Sequence, residues 1–152
     1  MATLVEIFTR SEVRPQVVQA CASLIDAEVQ SKTGLSALAI KAGYKLVNAI
    51  RPSMVQDVVD RLLPEFAEAL EPLHAESQEA ARAGTPLPEA FAGKLNAEPQ
   101  RVAAALLSVT DRRAAKASGP LRKTYDRLRG SAEAHVLAAV PKLATTLAPF
   151  LG

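Results

Sequence analysis

Between Met54 and Leu73 one side of a helix is written almost without interruption. Met54, Val55, Val58, Val59, Leu62, Leu63, Phe66, Leu70 and Leu73 fall on one stripe, with Asp57, Asp60, Arg61, Glu65 and Glu68 between them. A stripe of that period buries one side and wets the other, so it requires a partner surface of the same kind. Pro64 stands inside the run. Because proline lacks the backbone donor and crowds the carbonyl four residues earlier, a kink or break is expected there, at roughly 3 kcal/mol unless packing compensates.

The rest of the chain repeats this grammar. Ser11 is read as the cap of a helix carrying Val13, Val17, Cys21, Leu24 and Val29 and ending before Gly34. A second helix starts near Leu35, presents Leu38, Ala39, Ala42, Leu46 and Ile50, and stops at Arg51 because Pro52 disfavours the helical conformation before it. Ser53 then caps the long third run. After Leu73 the stripe fades: HAESQEAARAGTPLP is polar and punctuated by Gly84, Pro86 and Pro88, which places a linker at about 79–88. Beyond a short apolar piece, PEAFAGKL, a helix starts at Asn96 with Pro99 in its first turn and Val102, Ala105, Leu106 and Val109 behind. Ser118, Gly119 and Pro120 make a further break before the stripe Leu121, Tyr125 and Leu128. Gly130 and Ser131 end that segment, and a last helix carries Val136, Val140, Leu143, Leu147 and Phe150.

The two halves match in order. Pro15 and Gln16 precede Val18 as Pro99 and Gln100 precede Val102, and Pro64, Leu70 and Pro72 have the internal spacing of Pro141, Leu147 and Pro149. The expected fold is therefore all-α: one domain over residues 1–152, a compact bundle of about six helices. It is read as two pseudo-repeated three-helix units, 1–78 and 89–152, with proline-kinked third helices whose ends Pro72 and Pro149 set at equivalent places. A chain of 152 residues can bury a core without disulfides or metals. Its apolar 49% is mostly Ala, Leu and Val, with no Trp, a bias that favours helix.

The one cysteine, Cys21, lies among Val17, Ala20, Leu24 and Ile25 and is read as a packing residue. MATLVEIFTRSEVRP lacks the pattern of a secretory signal, and the apolar window 34–50 is interrupted by Lys41, Lys45 and Asn48. A cytoplasmic protein with no membrane span is expected.

No P-loop, G-x-G-x-x-G, G-x-S-x-G or H-E-x-x-H motif occurs. His74 and His135 have no ligand at zinc spacing and are read as surface or cap residues, and the acid pairs Asp57/Asp60 and Glu65/Glu68 as a solvated helix face. No catalytic, cofactor-binding or metal-binding residue is assigned, and no cofactor is expected. Charge is polarised, however. Between Gln56 and Glu79 seven acids face Arg61 alone, whereas Arg112, Arg113, Lys116, Arg122, Lys123, Arg127 and Arg129 dominate the segment 111–130. Either these acidic and basic helices lie beside one another, or the seven bases form a patch for an acidic partner or nucleic acid.

LLPEFAEALEPL, LLSVTDRRAAKAS and PLRKTYDRLRGSAEAHVLAAVPKL together resemble an uncharacterised family of small all-helical bacterial proteins of actinobacterial type. The resemblance covers most of the chain and implies no activity, cofactor or catalytic residue. Three functions stay open. The first is a non-enzymatic adaptor or scaffold acting on an unknown protein partner or by self-association, the second a nucleic-acid binder using 112–129, and the third a helical bundle with a small-ligand cavity.

Overall fold

Pro52, Pro99 and Pro120 each sit at a helix boundary, as their missing backbone donors require. The computed structural model describes residues 2–33 and 35–152, with the side chains of residues 35, 36 and 50 outside that description. Gly34, named above as a helix stop, and the Ile50 side chain therefore lie outside the described residues. Among the described residues seven α-helices follow in order: α1 (Leu4–Phe8), α2 (Arg14–Ser31), α3 (Leu35–Ile50), α4 (Met54–Arg82), α5 (Leu87–Ala97), α6 (Pro99–Ala114) and α7 (Gly119–Leu147). A 3-10 turn, Ala148–Leu151, closes the chain, and no strand occurs among the described residues.

Several boundaries differ from the sequence reading. The N-terminal residues form α1, capped by Thr3, whose hydroxyl accepts the Glu6 N–H at 3.2 Å. Ser11 lies in the turn after it, and α2 begins at Arg14 with Pro15 in its first turn. Ser53 is the N-cap residue of α4 without a side-chain bond to the backbone; its hydroxyl meets Asp57 at 3.0 Å. PEAFAGKL is helix α5, and the next helix starts at Pro99, with Glu98 rather than Asn96 before it.

The expected linker at 79–88 shrinks to the residues between Arg82 and Leu87, because α4 passes through Pro64 and Pro72 without ending. Gly130 and Ser131 likewise fail to stop α7, where the Ser131 hydroxyl donates back to the Leu128 carbonyl at 3.3 Å. Pro72 thus lies within a helix, whereas Pro149 lies in the closing 3-10 turn, and the two do not set equivalent ends.

Why α4 continues is visible in its last turns. His74 is fully buried, not a surface residue: α5 covers it, with the Phe91 ring edge-on at 6.1 Å between centroids. Its Nδ1 donates to the Glu71 carboxylate at 3.1 Å, and its Nε2 is buried without a hydrogen-bond partner. Glu71 also accepts the Leu4 N–H at 3.0 Å, joining α1 to α4.

The two 29-residue helices, α4 and α7, make at most glancing contact with each other, and α2, α3, α5 and α6 each touch both. The core gathers Leu4 and Phe8 of α1, Val17 of α2, Leu63, Leu70 and Leu73 of α4, Phe91 and Leu95 of α5, Val102 of α6, and Val140 and Leu147 of α7. Each such side chain contributes about 1.5–3 kcal/mol on burial. By length and composition one described helical stretch, Gly119–Leu151, is long and apolar enough to cross a membrane, and 22% of its most apolar window is buried within the protein. The segment 34–50 singled out above is not that stretch.

Candidate functional site

The gap between α4 and α7 is a cavity of about 400 Å³. From α4, Val59, Leu63, Phe66, Ala67 and Leu70 face it; from α7, Leu128, Ala132, Val136, Ala139, Leu143 and Leu147 do. These positions recur every three or four residues, so each long helix turns one stripe to the opening. Alanines at 132 and 139 leave room that larger residues would fill. Cys21, Leu24, Ile25 and Val29 of α2, Leu106 and Leu107 of α6, Phe8 of α1 and Ile40 of α3 complete the apolar wall. The low burial of α7 follows in part, because much of its apolar face looks into this space.

Polar groups in the lining are few: Glu28, Lys32, Thr110 and His135. Glu28 pairs with Lys32 at 3.4 Å and with Lys142 of α7 at 3.1 Å. Burial opposes ionisation of this carboxyl, yet the hydrogen bonds and charges of Lys142 and Lys32 outweigh it and hold the group below its ordinary value. His135 is half-buried, and burial, aided by the Lys32 charge, lowers its affinity for a proton. At neutral pH it is an uncharged ring with one donor and one acceptor. The Thr110 hydroxyl lies 2.9 Å from that of Tyr125, which donates to Asp111. Arg129 pairs with the same Asp111 oxygen at 2.8 Å.

Cys21 is indeed a packing residue, but one that lines a cavity. Burial pushes its thiol up to about 11, so it is protonated at neutral pH. A second hollow of about 540 Å³ lies between α2, α3 and α4, where Tyr44 donates to Asp26 at 3.1 Å. Its polar lining is already partly paired within the protein.

The seven basic residues flagged above do not share one free surface. Arg112 lies 3.7 Å from Glu65 and Arg113 is paired with the same carboxylate. Arg122 pairs with Asp126 at 3.1 Å and donates to the Ala114 carbonyl at 2.9 Å, and Arg129 is held by Asp111. Lys116, Lys123 and Arg127 are exposed and belong to none of the ion pairs of the described residues. The acidic run of α4 meets the basic run of α6 at Glu65, so part of the charge asymmetry is an internal helix–helix contact. Among the described residues no three His, Cys, Asp or Glu side chains come together as metal ligands.

Sequence reasoning did not find the group formed by Glu28, Lys32, His135 and Lys142. Its only trace is a charged i, i+4 pair, Glu28 and Lys32, set into the apolar stripe of α2 beside Val29.

No curated protein and no solved structure matches the chain. The model of a family of unknown function, DUF6918, matches residues 4–151, and the chain belongs to that family.

Proposed function

We propose that the protein is a non-enzymatic binder of a small, mainly hydrocarbon molecule with one polar end, held between α4 and α7. The observation that carries this reading is the cavity of about 400 Å³ with an apolar wall from six of the seven helices. Ligand sites commonly measure about 300–1,000 Å³ and combine apolar walls with a few placed polar groups. Glu28, Lys32, His135 and Thr110 are the groups available to a polar end. Nucleic-acid binding has less support, since four of its seven candidate residues are engaged with carboxylates.

The test is a fluorescence titration with diphenylhexatriene, which is uncharged, and with parinaric acid, a polyene fatty acid. Saturable binding is expected for both. Ala139→Phe should fill the cavity, weaken binding at least tenfold, equivalent to about 1.4 kcal/mol, and raise the melting temperature. Ala132→Leu serves the same purpose if the larger substitution prevents folding. Absence of saturable binding, or undiminished affinity in a folded cavity-filling variant, overturns the reading.

A further inference from the structure

We infer that the outer face of α3 docks on an anionic lipid surface, from which the cavity takes its ligand. The inference rests on the cavity reading and deepens it by naming the source of the apolar molecule. At 100° per residue, Leu38, Lys41, Ala42, Lys45, Leu46 and Ala49 lie within about 140° of one another around the helix. All six are exposed. Leu38 is 70% exposed, and it and Leu46 are two of the three large hydrophobic residues left exposed among the described residues; the third, Ile25, lines the cavity.

The opposite side of the same helix faces the protein. Ile40 lines the cavity, and Gly43 is buried against α7. One helix of 16 residues is thus both part of the cavity wall and an amphipathic outer surface.

Charge selects the occupant. Residues 35–50 contain Lys41 and Lys45 and no acid, and neither lysine enters an ion pair of the described residues. Two such faces stacked in a dimer would oppose lysine to lysine without a carboxylate. Anionic headgroups neutralise both while leucines enter the acyl boundary, as interfacial helices do. A bilayer is also where a mainly hydrocarbon ligand resides before it is bound.

Flotation with phosphatidylcholine vesicles, with and without phosphatidylglycerol, tests the inference. The protein should float only with the anionic vesicles and less at high salt. Each lysine contributes about fivefold to partitioning, so Lys41→Glu with Lys45→Glu should reduce it more than tenfold, and Leu38→Asp by a similar factor. Both variants should bind diphenylhexatriene in vesicle-free solution as the parent does. A parent protein that never floats, or charge-reversed variants that float equally well, overturns the docking face. So does a dimer in light scattering that Leu38→Asp dissolves without vesicle binding, which assigns the face to a second copy. Loss of docking with intact probe binding leaves the cavity reading standing, whereas docking without probe binding in the parent removes the cavity reading alone.

Discussion

The guanidinium of Arg14 donates to the backbone carbonyl of Asp60 at 2.7 Å, and Asp60 is the residue whose helical partner would be the N–H that Pro64 lacks. Arg14 Nε also meets the Asp60 carboxylate at 2.7 Å. A side chain from α2 thereby satisfies the acceptor orphaned inside α4, one reason this helix tolerates an interior proline. Arg14→Ala should destabilise the protein by about 1 kcal/mol, the net worth of such a bond at a partly exposed site. In a Pro64→Ala background the restored N–H competes for the same carbonyl, so the cost of Arg14→Ala should fall. A double-mutant cycle by urea unfolding measures that coupling, and additive effects would show that Arg14 does not support the proline site.

The same relationship shows what the sequence allowed to be read. Apolar period and proline chemistry are local, so the all-helical class and the boundaries at Pro52 and Pro120 were legible. Whether Pro64 ends a helix is decided by what bonds against it, and that information sits in another element, at Arg14 of α2. His74 was misread for the same reason, since only α5 folding back over α4 buries it. The meeting of acidic and basic runs at Glu65 was one of two readings that charge alone could not separate. The cavity had no linear signature, because it is the space two stripes fail to fill.

Helix α3 is held to α7 at a close approach. A Cβ on Gly43 would stand 2.8 Å from Thr124 Cγ2 and 3.2 Å from Leu128 Cδ1. Alanine ordinarily gains up to about 1 kcal/mol over glycine within a helix. Here the neighbour is a β-branched side chain with little rotameric freedom, and overpacking costs about 1–3 kcal/mol. Gly43→Ala should therefore be neutral to destabilising, and Thr124→Ser, which deletes the obstructing methyl, should turn it into a stabilising change. Thermal melts of the two single variants and the double variant decide the sign.

Glu76 joins three helices, pairing with Lys94 of α5 at 3.0 Å and Arg101 of α6 at 2.7 Å. Hydrogen bonds from Arg101, then from Lys94, hold its carboxyl at about 2, against an ordinary 4.5. In that interval the unfolded chain binds a proton that the folded protein refuses, so stability rises with pH there. The contribution is complete above the unfolded value and is lost as pH falls toward 2. Glu76→Gln should flatten the melting temperature between these limits without abolishing the slope, because Glu98 is lowered by the same two cations. The effect should shrink in high salt, since these groups are exposed.

Cys21 reports on the cavity from within its wall. Burial places its thiol at about 11 rather than 9.0, so the reactive thiolate is about a hundredfold scarcer at neutral pH than in an unfolded chain. Alkylation by iodoacetamide should accelerate roughly tenfold per pH unit and continue to rise beyond the ordinary thiol range, whereas in denaturant it should level off near that range. Access matters as well as ionisation, because the reagent must enter the space between α4 and α7. Saturating diphenylhexatriene should slow the reaction further at fixed pH, and Ala139→Phe should do so without ligand. A rate that levels off in the ordinary range places the thiol in water, and a rate indifferent to bound probe separates Cys21 from the binding space.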